Sequence, residues 1–200
     1  MLRKFGDMNV RELDRRALAL AGAAVAAVTP DQLSLPTPCA DWTLRGLLRH
    51  LVSQNEGFAA AARGEGRSLR VWRDGRLSDD PRTAFAASAA LVTDAFAVPD
   101  VLDAPFALPE IDERRPFPGR QAIAFHCLDA VVHAWDVAVT VGAAWEPDDE
   151  LLAAALRVAE RVPGEGRGPG AAFDTGVPAD GLPLGARLLA LLGRSPSWPR

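Results

Sequence analysis

Cysteine is scarce in this 200-residue sequence. Cys39 and Cys127 are the only two; they form no CxxC pair, and no disulfide framework can be drawn from them. A reducing, cytoplasmic setting fits. Lysine is nearly absent, Lys4 being the single one, so arginine carries almost all the positive charge. Nor is positive charge in surplus. A net charge of -4 and a pI near 5.4 give no electrostatic reason to expect nucleic acid or an anionic membrane surface as partner. No apolar run approaches the roughly 20 residues of a membrane span. The glycine-rich stretch GEGRGPG (164–170) follows no strand pattern, which argues against a phosphate loop. Arg15 and Arg16 precede an alanine-rich run, as in a twin-arginine export signal. The acidic residues Asp7, Glu12 and Asp14 and the amphipathic continuation of the run favour a first bundle helix instead.

What is present is helix punctuation. Asn9 and Glu12 form a capping box that opens a helix to about Val28. Thr29, Pro30 and Gln32 predict a short helical turn. LPTPCADW is excluded from regular helix by its prolines. Thr43 caps a second helix whose apolar stripe is Leu44, Leu47, Leu48, Leu51 and Val52, and GEGRS ends it. A third runs from Pro81 to about Val98. Residues 99–118 hold five prolines and form a long connection with room for a short hairpin. A fourth helix, from about Arg120 to Val141, closes at Gly142. A fifth begins near Pro147 with Asp148, Asp149 and Glu150 in its first turn, where the helix dipole favours them, and LPLGARLLALLG gives a short last one. The expected fold is all-α: a four-helix bundle over 1–145, with residues 146–200 as a C-terminal helical extension packing on the same domain. The long third connection permits a crossover topology.

The fourth helix contains HCLDAVVHAWD (126–136). At 100° per residue, His126, Asp129, His133, Asp136 and Thr140 share one stripe about 80° wide. Apolar residues fill the rest of the circumference. A stripe facing water is the ordinary reading. Exposed faces elsewhere in this chain, however, use Arg and Glu, whereas this stripe has short carboxylates and imidazoles. Asp129 and His133, four apart, can converge on one ion at about 2 Å each. His126 lies about 10 Å along the axis from His133, which makes sharing one ion awkward, and is read as a pocket residue or as a support behind the ligands. The remaining histidine is His50, on the flank of the second helix's stripe beside Gln54. A lone histidine there is ordinarily just packed; it gains value because the fourth helix is one ligand short. Three protein ligands and an open position describe a catalytic zinc-type site. Asp136 is left between orienting an imidazole and binding a backbone group or an arginine. Trp42 and Trp135 could wall the pocket but default to core packing; Cys39 could approach the site but defaults to a small buried apolar role, and Cys127 to the core.

The motifs TPCADWTLRGLLRHLV (37–52), DAVVHAWDVAVTVG (129–142) and LLALLGRSPSW (188–198) resemble, in content and order, the DinB-like superfamily. Within it they resemble the mycothiol-dependent maleylpyruvate isomerase-like group of metal-binding proteins. The resemblance implies a four-helix bundle holding a divalent metal, commonly zinc, with nickel or another divalent ion as substitutes. The matching positions are His50, Asp129 and His133. The acid is glutamate in the isomerase itself. Relatives of this kind use mycothiol, bacillithiol or glutathione as a thiolate activated by the metal. About 60 residues after the fourth helix fall short of the isomerase's additional C-terminal domain, so maleylpyruvate specificity is not carried over. The expectation is a metal-dependent, mycothiol-using S-transferase or isomerase, with His126, Asp136 and Gln54 as pocket candidates and a small-molecule substrate and the thiol as partners. A metal-dependent hydrolase, lyase or biosynthetic enzyme without thiol is the alternative, and a non-catalytic metal-binding or dimerising bundle is another. A homodimer is left open.

Overall fold

The computed structural model describes residues 10–39, 42–78, 80–165, 167–168 and 173–198. Asn9, and with it the predicted capping box, lies outside them. Helix α1 spans Val10–Ala26, two residues short of the expected end, because Ala27 and Val28 close with tighter three-residue turns. A 3-10 turn at Pro30–Ser34 follows, with the Gln32 side chain accepting from the Thr29 N–H at 3.0 Å. Helix α2 is Leu44–Ala62, with the Thr43 hydroxyl accepting from the Gly46 N–H. A four-residue helix unread in the sequence, α3 (Arg70–Arg73), precedes α4 (Pro81–Ala97). The long connection contains a minimal antiparallel hairpin, β1 (Pro105–Phe106) with β2 (Phe117–Pro118). Helix α5 is Gly119–Val141, ended by Gly142 at φ 72°, a left-handed backbone that glycine adopts without steric cost. In α6 (Asp149–Ala159), Asp148 caps from outside the helix, taking the Glu150 and Leu151 N–H groups. The last helix, α7, is Leu184–Leu191.

The fold is all-α. In the bundle ring α1 packs on α5, α5 on α2, α2 on α4 and α4 on α1. The sequence-adjacent pairs α1/α2 and α4/α5 therefore lie across the diagonals, which is the crossover arrangement. Its long connections are residues 27–43 and 98–118. A second apolar cluster joins Leu13 and Ala17 of α1, Val131, Val132 and Trp135 of α5, and the inner faces of α6 and α7. Helices α6 and α7 thus pack onto the bundle and not beside it. By length and composition α5 is apolar enough to cross a membrane, which the sequence reading did not anticipate, but 78% of that window is buried inside the fold. It is the central helix of the bundle.

Trp72 of α3 closes onto α2. A Cβ on Gly57 would lie 2.4 Å from the indole, so only glycine lets the ring approach, and the indole N–H donates to the Gly66 carbonyl at 2.8 Å. One polar chain crosses the core. The Ser88 hydroxyl donates to the Phe85 carbonyl and accepts from the Asn55 amide, both at 2.9 Å. That fixes the Asn55 oxygen toward His126 Nε2 at 2.9 Å, while His126 Nδ1 meets Asp14 at 2.6 Å. Each bundle helix contributes one of these four side chains: Asp14, Asn55, Ser88 and His126. Every polar partner is satisfied, as burial requires.

Candidate metal centre

Two layers of the bundle use the polar stripe of α5. Because α2 runs antiparallel to α5, Asn55 meets His126 in one layer and His50 meets Asp129 and His133 in the other. The seven-residue step along α5 separates these layers by about 10 Å. His126, expected in the pocket, is therefore confined to the core chain with 1% exposure. The water-facing reading of the stripe does not hold either: His133 and Asp136 are buried, and Asp129 alone of the three keeps partial access to solvent.

In the second layer, Asp129 Oδ1 is 3.3 Å from His133 Nε2 and 3.6 Å from His50 Nε2. The three donor atoms lie within 4.8 Å of one another. Two ligands each about 2 Å from one tetrahedral ion are separated by roughly 3.3 Å, so this spacing suits a zinc-sized cation. His50 Nε2 is buried and has no hydrogen-bond partner among the described residues, an orphaned lone pair or N–H facing the carboxylate. Its ring is held under Trp42, centroids 4.6 Å apart, and edge-on to His133 at 4.9 Å. Burial pushes the Asp129 carboxyl up, but His133 and then His50 hold it well below the ordinary carboxylate range.

Behind His133 sits its orienting group. Nδ1 is 2.8 Å from Asp136 Oδ2, which leaves Nε2 for the side facing Asp129. Asp136 is fully buried and compensated by Arg194, whose Nη2 is 3.1 Å from the same oxygen. Cys39 completes the group: its thiol donates to Asp136 Oδ2 at 3.2 Å and its sulfur accepts from Arg194 Nη2 at 3.3 Å. The sequence reading gave Cys39 an apolar default and did not find Arg194 at all. Cys39, His133 and Asp136 form a second cluster of metal-type donors, yet the Arg194 guanidinium already supplies the positive charge there. A second cation would be repelled.

Local chemistry places Cys39 and Trp42. The Pro36–Thr43 bridge and the Leu44 N–H to Leu35 carbonyl bond (2.9 Å) pinch the proline-bearing loop shut. Within it, the Thr37 hydroxyl reaches the Cys39 and Trp42 carbonyls at 3.0 and 2.9 Å. Trp135, by contrast, packs in the second apolar cluster.

A cavity of about 300 Å³ opens beside His50 and Asp129. Gln54 lies in its wall and donates to Glu110 at 3.1 Å. The residues after α6 contribute to it through Val162, Pro163 and Phe173. The C-terminal segment is thus part of the site twice over, in the cavity wall and through Arg194.

The sequence from residue 15 to 138 matches the family described as the mycothiol maleylpyruvate isomerase N-terminal domain. The chain belongs to this family. The matched span runs from within α1 to within α5 and contains all three of His50, Asp129 and His133. Two proteins of Mycobacterium tuberculosis, "Uncharacterized protein MT0763" of strain CDC 1551 / Oshkosh and "Uncharacterized protein Rv0738" of strain H37Rv, are each 35% identical to it over 188 residues. In both cases the match covers 90% of this chain and 95% of the relative. No solved structure matches. Family membership associates the chain with a mycothiol-related, metal-binding kind of domain.

Proposed function

We propose that His50, Asp129 and His133 hold a divalent cation, zinc by the chemistry of the donor set, and that the protein uses it to activate mycothiol for S-transfer to, or isomerisation of, a small organic molecule. The observation that carries this reading is His50 Nε2: a buried, unpartnered nitrogen 3.6 Å from a carboxylate that a second imidazole also faces. Two imidazole nitrogens and one carboxylate oxygen suit zinc, and three protein ligands leave a coordination position for a visitor. A cation bound there would lower the pKa of an approaching thiol until it is a thiolate, the nucleophilic form.

The chain's own residues supply the rest. Asp136 takes the Nδ1–H of His133 and fixes its tautomer; Arg194 keeps Asp136 ionised by holding its carboxyl below the ordinary range against the push of burial. Trp42 covers one face of His50, and the adjacent cavity admits the reactants. The two free cysteines fit a reducing cytoplasm.

The test is metal content after zinc loading, for wild type, His50→Ala and His133→Ala, followed by S-conjugate formation from mycothiol and a panel of electrophiles. Wild type is expected to retain one zinc per chain and both variants to lose it. Equal zinc in His133→Ala and wild type would overturn the ligand assignment; zinc retention with no mycothiol chemistry, but turnover of a thiol-free substrate, would overturn the thiol role.

A further inference from the structure

The cavity beside His50 and Asp129 has a composition that bears on the substrate. Nine of its fourteen lining side chains are apolar. Phe58 and Trp72 form its inner wall, Leu108 and Ile111 come from the long connection, and Val162 and Phe173 from the segment after α6. Trp72 turns its one polar atom away, to the Gly66 carbonyl, so the indole offers the cavity only carbon. At about 300 Å³ the space is at the small end of small-molecule pockets.

Its charges are as informative as its apolar wall. The ionisable lining groups, apart from His50, are two carboxylates, Asp129 and Glu110, and one guanidinium, Arg161. Glu110 is engaged by Gln54 at 3.1 Å and faces Arg73 at 3.5 Å. A small dicarboxylate needs two cationic or strong-donor partners, and the lining offers a single guanidinium, Arg161, beside the carboxylates of Asp129 and Glu110. A cation on His50, Asp129 and His133 adds no net positive charge to attract an anion, because a bound thiolate and Asp129 together cancel a double positive charge.

We propose that this cavity is the site of the second substrate and that it selects an uncharged, apolar organic molecule over a small dicarboxylate. This rests on the thiol-activating reading of the metal centre. The selecting residues are those that wall the space with carbon, Phe58, Trp72, Leu108, Ile111, Val162 and Phe173.

The test uses the full-length protein, both chelator-treated and zinc-loaded. The probe is N-phenyl-1-naphthylamine, uncharged and fluorescent in apolar surroundings, and the competitor is maleate. Saturable binding of the probe to both forms is expected, without displacement by maleate. Ile111→Asp, at an exposed position on the cavity mouth, should weaken the probe at least tenfold. If circular dichroism shows that this variant has not folded, Val162→Asp in the opposite wall decides in its place. Displacement by maleate, absence of saturable binding, or undiminished binding in a folded variant would overturn the assignment. Zinc stoichiometry is read separately. Probe binding with no zinc uptake would sink the metal reading alone, and one zinc per chain with maleate displacing the probe would sink the apolar-substrate inference alone.

Discussion

Arg194, beyond the last helix, sets its guanidinium 3.1 Å from the carboxylate of Asp136, which in turn takes the Nδ1–H of His133. Both members of this ion pair are buried, with side chains 6% and 0% exposed. Without Arg194 the buried Asp136 keeps only His133 and the Cys39 thiol as partners, and breaking a buried pair costs up to about 3–5 kcal/mol. Arg194→Ala should therefore lower unfolding stability by that order in urea titrations. Adding Asp136→Asn to the same background should recover part of the loss, because the unpaired charge is gone. A double variant no more stable than Arg194→Ala would contradict the pairing.

Asp136→Asn by itself tests orientation through metal affinity; it also takes the carboxylate from Arg194, so unfolding stability is measured beside it. Partners that fix a ligating imidazole are worth roughly 10–100-fold in metal affinity. A zinc titration against a competing chelator should show a weakening in that range, with the protein still folded. Unchanged affinity would mean that His133 needs no help from behind.

The core histidine gives a pH dependence of stability. Burial disfavours the charged ring of His126, but the charge and hydrogen bond of Asp14 outweigh it, and His126 titrates above its ordinary value of 6.5. A group whose folded pKa is raised stabilises the fold fully below its unfolded value, and loses that contribution as pH rises through the folded one. The stability gap between wild type and His126→Gln should be widest below the ordinary histidine value of about 6.5 and narrow as pH rises above it. Denaturation midpoints across that range measure it. A gap that widens with pH would refute the charged pair.

Gly57→Ala should fail at the cavity wall. Its Cβ would stand 2.4 Å from the Trp72 ring, nearer than side chains tolerate. Overpacking of this kind costs about 1–3 kcal/mol. Displacement of the indole should also be visible as a changed tryptophan emission spectrum. A variant with wild-type stability and spectrum would show that α3 yields freely.

Much of the fold was legible because its signals are local. The Thr43 cap, the proline at the start of α4 and the left-handed Gly142 are each read from a few neighbouring residues. The pairing of Asp129 with His133 follows from a four-residue spacing on one helix. What was missed depends on partners distant in the chain. Arg194 meets Asp136 across 58 positions and His126 meets Asp14 across 112, and no periodicity encodes either meeting. His126 was misplaced for a further reason: angular position on a helix says nothing of which neighbouring layer a side chain enters. For Cys39 the approach to the site was only the second reading, because a lone thiol in a loop has no pattern from which its polar neighbours can be read.

The chain of hydrogen bonds from Asp14 to Phe85 fixes donors against acceptors: His126 gives to Asp14 on one side and to Asn55 on the other, and Asn55 and Ser88 each take one bond and pass one on. Smooth apolar faces alone would let four helices slide past each other by a turn at little cost. A ratchet of donors and acceptors accepts a single alignment. With α2 and α5 locked in that alignment, His50 has no choice of neighbour one layer away. The geometry of the candidate ion-binding triad is inherited from a lock that never touches it.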